Sequence, residues 1–128
     1  MPSEPTRWRV PVAVAAGGVI GAGMRWLAGV PFDVTPGTFP VRTLVVNLVG
    51  CLLIGIAAQR LRRESVAWAF TVTGILGGFT TMSAFAQELN DLADADRTGL
   101  LIAYLVATVG GGMLALLIGE RGAEARSS

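Results

Sequence analysis

The chain has 128 residues, enough for one domain, and 52% of them are apolar against only 15% charged, which excludes a soluble globular domain of this size because such a domain needs a polar surface. Ten basic and nine acidic residues leave a net charge of +1, so no nucleic-acid partner is expected. All the basic residues are arginines, histidine is absent and Cys51 is the single cysteine, which excludes an intrachain disulfide and leaves no thiolate or imidazole cluster for a metal.

Stretches without charge define the elements. A helix needs roughly 20 apolar residues to cross about 30 Å of hydrocarbon. Four segments approach that length, at about 10–30, 43–59, 65–88 and 98–119. The first is preceded by Arg7 and Arg9, as a signal peptide would be. However, Gly17-Gly18 and Gly21 interrupt its core, it lacks a clear cleavage site, and three similar spans follow, so it reads as a retained helix. Arg25 lies within it near the far end. A guanidinium at the bilayer centre is disfavoured by about 3 kcal/mol, so Arg25 is expected to snorkel or to face a water-filled vestibule, where it would draw anions.

Pro31 to Arg42 holds three prolines and a glycine and reads as a turn-rich loop. The second span carries Asn47, whose amide can bond another helix or donate to a passing anion, and Cys51, read as a small packing residue. Arg60 to Glu64 is a charged hairpin, and Leu89 to Arg97 is an acidic connection with Asp91, Asp94 and Asp96. Glycines four apart, Gly17 with Gly21 and Gly74 with Gly78, suit close helix packing, as does Gly110-Gly111-Gly112 in the last span. Four such helices enclose little space for a pore, so a functional site is expected to need a second subunit.

The third span is the most informative. Gly77-Gly78 lowers helix propensity by about 1 kcal/mol per glycine relative to alanine, and Thr80-Thr81 follows with hydroxyls that can bond freed carbonyls. A break is expected at the glycine pair. Irregular backbone at that depth must be covered by protein or line a cavity, and its carbonyls suit an alkali cation. The competing reading is a mere kink with threonine back-bonding. Past the break, Thr80, Ser83 and Gln87 form a polar stripe, while Met82 and Phe85 share a neighbouring face. A phenylalanine edge carries partial positive charge and can attract an anion; ordinary packing is the alternative.

Arginines are unevenly distributed. The side holding both termini and the middle loop has Arg7, Arg9, Arg60, Arg62, Arg63, Arg121 and Arg126; the other has Arg42 and Arg97. The positive-inside rule then places both termini in the cytoplasm and favours one fixed orientation.

Three segments together resemble the Fluc (CrcB) family of fluoride channels: Gly17-Gly18-Val19-Ile20-Gly21-Ala22-Gly23-Met24-Arg25-Trp26, Thr43-Leu44-Val45-Val46-Asn47-Leu48-Val49-Gly50 and Gly77-Gly78-Phe79-Thr80-Thr81-Met82-Ser83-Ala84-Phe85. The third is the specific one, and the resemblance runs from about Pro11 to Gly119. It implies an all-α, dual-topology antiparallel dimer of four-span subunits in the cell inner (plasma) membrane, contacting lipid, with two narrow pores for passive fluoride export. It further implies a structural sodium ion at the dimer centre on the carbonyls of Gly77 and Thr80. The implied fluoride path is lined by Asn47, Phe85, Ser83, Thr81 and the position of Met82. Where the family pattern reads Thr-Thr-Phe-Ser-x-Phe, this chain has Met82 in place of the first phenylalanine, and methionine has no positive ring edge. An antiparallel homodimer must insert both ways, so the arginine bias points to a partner subunit that is homologous but different. Two rivals remain. One is a non-conducting subunit that completes another chain's pore. The other is a proton-coupled multidrug exporter, disfavoured because the uncharged cores hold no carboxylate, Asp33 lying in a loop and Glu88 at the end of the third span. No nucleophile–base constellation suggests an enzyme.

Overall fold

The computed structural model describes residues 4–29 and 35–127. Val30 at the end of the expected first span, and residues 31–34 of the expected Pro31 to Arg42 loop, Asp33 among them, lie outside the described residues. A short helix α1 (Glu4–Arg7) leads into α2 (Arg9–Gly29), and α3 spans Val41–Arg60. The third crossing is composite: α4 (Val66–Trp68), a π-helical segment Ala69–Leu76, α5 (Gly77–Phe79) and α6 (Met82–Asp94). The last helix, α7, covers Thr98–Ser127. Four stretches are long and apolar enough to cross a membrane: Arg9–Gly29, Val41–Arg60, Val66–Asp94 and Thr98–Arg126. The chain is therefore an all-helical, multi-pass membrane protein. Its wealth of exposed Val, Ile, Leu, Met and Trp on α2 and α7 fits lipid as the solvent.

Local chemistry sets the ends. Ser65 caps the third span, its hydroxyl accepting from the Trp68 amide at 3.0 Å. Asp96 closes α6 with φ of 56°; its amide reaches the Ala93 carbonyl at 3.1 Å, and the Arg97 amide reaches the Leu92 carbonyl at 2.9 Å. That pattern is a Schellman cap built on an aspartate, one of the few side chains that tolerate the left-handed region.

Two close helix pairs organise the bundle. In the first, α2 lies against the π segment and α5, and backbone touches backbone. A β-carbon at Gly17 would sit 2.9 Å from the Gly74 Cα and would run into the Phe70 carbonyl oxygen; one at Gly21 would strike the Ile75 carbonyl oxygen. A β-carbon at Gly78 would lie 2.5 Å from the Gly18 carbonyl oxygen. In the second pair, α3 packs on α7: Gly55 faces the Leu116 carbonyl, and Gly119 faces that of Leu52. The glycines four apart thus do serve close approach, which is what drives helix association where water exclusion does not. Past its break, the third span leaves α2 and runs as α6 beside α7.

The break itself lies elsewhere than at the glycine pair. Gly77 is helical (φ −64°, ψ −37°), whereas Thr80 (φ −75°, ψ 157°) and Thr81 (φ −143°, ψ 119°) are extended. The expectation of a break at Gly77-Gly78 is corrected to Thr80-Thr81. The low helix propensity of glycine is overridden there, because Gly78 is needed helical against α2, while Thr81 finds partners that a helix would deny it.

Candidate functional site

The break is held by side chains from both sides. Asn47 on α3 makes two bonds to the backbone of one residue: the Thr81 amide donates to Asn47 Oδ1 at 2.9 Å, and Asn47 Nδ2 donates to the Thr81 carbonyl at 3.1 Å. Of the two sequence readings of Asn47, interhelical bonding is the one observed; its second amide hydrogen is a further donor. From α2, Arg25 Nη1 donates to the Thr80 carbonyl at 3.3 Å. Thr80 Oγ1 donates back to the Leu76 carbonyl at 2.9 Å, the back-bonding expected of a kink. The methyl of Thr80 occupies the space that a side chain at Gly50 would need, one turn along α3 from Asn47. Thr81 caps α6, its hydroxyl accepting from the Ala84 amide at 3.2 Å and lying 3.3 Å from Ser83 Oγ.

These bonds divert two helical donors. In a continuous helix the Gly77 carbonyl would accept from the Thr81 amide, and the Thr80 carbonyl from the Ala84 amide. The first amide goes to Asn47 and the second to the Thr81 hydroxyl. The carbonyls so deprived are the same two, Gly77 and Thr80, that the family resemblance assigns to sodium. They are neutral hard-oxygen donors, the right chemistry for an alkali cation, although two oxygens do not complete a coordination shell.

Two open cavities flank the break, and Thr81 lines both. The first, of about 330 Å³, brings together Asn47, Thr80, Thr81, Met82 and Phe85 with Thr108 and Met113 of α7. The second, of about 300 Å³, holds Arg25, Arg42, Thr43, Ser83, Gln87 and Glu88. Arg25 thus lines a polar recess. Ser83 is not beside Phe85 but on the opposite flank. The polar stripe is likewise corrected: Ser83 and Gln87 share a face, but Thr80 is extended backbone on the other cavity and belongs to no stripe. Met82 is 76% exposed, while Phe85 is buried at 8% and meets the Tyr104 ring at a centroid distance of 5.1 Å.

Sequence reasoning missed a third component. Glu88 accepts hydrogen bonds from the Thr43 hydroxyl and the Tyr104 hydroxyl, both at 2.6 Å. Tyr104 is completely buried and forms a cluster with Phe85 and Leu92. Glu88 therefore joins α3 and α7 from a half-buried place within α6 rather than merely ending a span. The available signals were weak: one tyrosine in an otherwise aliphatic last span, and Thr43 one helical turn before Asn47 on α3.

A CrcB-like (camphor resistance, CrcB) family model matches residues 12–120. The chain belongs to the CrcB (Fluc) family. The protein named fluoride-specific ion channel FluC of Acinetobacter baylyi is 35% identical over 111 residues, covering 84% of this chain and 88% of its own length. The one of Rhizobium meliloti is 40% identical, covering 83% and 89%. FluC 2 of Streptomyces avermitilis is 39% identical over 78% of this chain and 66% of its own length. These relatives carry the names of ion channels, not of enzymes, in keeping with the sequence reading.

Proposed function

We propose that the chain is a subunit of a fluoride-specific channel that lets fluoride leave the cytoplasm passively. The observation that carries this reading is the match to relatives named fluoride-specific ion channels over more than four-fifths of the chain. The geometry supports it. Fluoride is small and strongly hydrated, so a pore must offer donors that replace water while remaining too tight for chloride. Along the break cavity the second amide hydrogen of Asn47, the hydroxyl of Thr81 and the ring of Phe85 stand as such a lining. Across the break, Ser83 and the guanidinium of Arg25 extend it into the polar recess, where a positive charge raises local anion concentration.

In this reading two subunits lie antiparallel, and the Gly77 and Thr80 carbonyls of each meet at the centre to hold a structural sodium ion. Sodium would supply fixed positive charge and tie the two breaks together. Arg25 now occupies the Thr80 carbonyl, and like-charge repulsion would turn it outward into the recess when the cation binds. The test is efflux from liposomes loaded with both halides: fluoride is expected to leave and chloride to stay. Equal loss of both contradicts the reading, as does retention of both by the assembled protein with its partner subunit present.

The excess of arginine on the side of the termini favours a more specific version, in which both termini face the cytoplasm of the inner membrane and the partner is a homologous subunit inserted the other way. One pore would then contain Met82 of this chain. Robust fluoride efflux from the purified single chain excludes an obligate heterodimer. The proton-coupled exporter regains its missing acid in Glu88, but that carboxylate is bonded by two hydroxyls, and the relatives described above are named as fluoride channels.

A further inference from the structure

Away from the break, a separate cavity of about 300 Å³ opens between the ends of α3 and α7, lined by Leu52, Ile56, Arg60, Ile118, Gly119, Gly122, Ala123 and Arg126. Its composition is graded. Arg60 and Arg126 stand at one end, and each lies eight residues, or about 12 Å of helix, from Leu52 and Ile118 at the other. Both arginines are exposed, and among the described residues neither forms an ion pair. α7 is 30 residues long, about 45 Å, and so outruns the hydrocarbon by several turns. Arg126 near its end therefore reaches headgroup depth, with Arg60 beside it.

We propose that this cleft is a binding site for one anionic phospholipid. The phosphate sits between the two guanidinium groups, and the upper acyl chain lies along Leu52, Ile56 and Ile118. The guanidinium groups of Arg60 and Arg126 supply the charge complement, since guanidinium matches phosphate geometry in a bidentate way. The apolar length selects a lipid over free phosphate, which would use only the arginine end. Gly119 and Ala123, both buried, keep the groove floor low where α7 touches α3; a β-carbon at Gly119 would strike the Leu52 carbonyl. Basic recesses between membrane helices are a recurring mode of headgroup capture. The site is independent of the fluoride pathway: it shares no residue with either cavity at the break.

The test uses the full chain in mixed phosphatidylglycerol–phosphatidylcholine vesicles, extracted mildly and examined by native mass spectrometry for lipid retained per chain. Wild type is expected to retain one phosphatidylglycerol and no phosphatidylcholine. Arg60→Gln with Arg126→Gln is expected to weaken retention on the order of tenfold or more, given the worth of two arginines at a membrane surface. Gly122→Leu keeps every charge, and a β-carbon there meets nothing within 4 Å, so it fills the cleft without disturbing the helix pair and is expected to lower retention too. Arg62→Gln with Arg63→Gln removes two arginines from the exposed hairpin and is expected to change nothing. The proposal is overturned if the hairpin variant loses lipid as the cleft variant does, if Gly122→Leu retains lipid normally, if phosphatidylcholine is held equally, or if inorganic phosphate displaces the lipid.

Discussion

Asn47 satisfies both backbone polar groups of Thr81, the amide and the carbonyl, from a part-buried position. Replacing it with leucine keeps the volume but strands an amide and a carbonyl. The expected loss is about 1–3 kcal/mol, the desolvation penalty for an unpaired buried group, read as a lower midpoint in denaturant or thermal unfolding of the detergent-solubilised protein. A leucine variant as stable as wild type would mean that the break is held by other contacts. Met82 poses the opposite case. Its side chain is largely exposed on the break cavity, so Met82→Phe needs no repacking and restores a ring with a positive edge. Fluoride efflux from liposomes is expected to rise; unchanged or slower efflux would show that this wall takes no part in conduction.

At the scale of elements, the contact between α2 and the π segment depends on missing side chains. Gly21→Ala puts a methyl onto the Ile75 carbonyl and forces the helices apart, whereas Gly23→Ala meets nothing within 4 Å. The first is expected to destabilise by about 1–3 kcal/mol and the second to be near neutral, measured side by side in the same unfolding assay. This is also where sequence and structure part company. The four spans were legible because hydrocarbon thickness dictates a length and composition that few other constraints imitate. The break was legible as an event but displaced by three residues. Helix propensity marks Gly77-Gly78 as weak, yet where the helix ends is decided by Asn47, 34 positions away from Thr81, and by the Thr81 cap. The π-helical stretch Ala69–Leu76 left no mark in the sequence; its composition is that of any membrane helix. Likewise Asn47, Thr81, Met82 and Phe85 could be grouped by motif, but the bonds from Thr43 and Tyr104 to Glu88 join three helices, and no local spacing announces them.

For the whole molecule, the cavities at the break are open-sided in the single chain, and two carbonyls do not complete a cation shell. In the assembly proposed above, a second subunit facing the break would close both cavities and supply the remaining oxygens. Within that account Phe85 is the residue whose ring both lines the cavity and is fixed in place, wedged against a tyrosine that Glu88 anchors. Phe85→Ile preserves an apolar side chain while removing the ring edge. Fluoride efflux from liposomes containing the assembled protein is the direct measurement. The variant is expected to fold, to elute with wild type on size exclusion, and to conduct fluoride about tenfold more slowly, the rate equivalent of the energy of one aromatic edge contact. Wild-type fluoride efflux from a correctly folded Phe85→Ile protein would contradict the assignment of the conduction path to the cavity at the break.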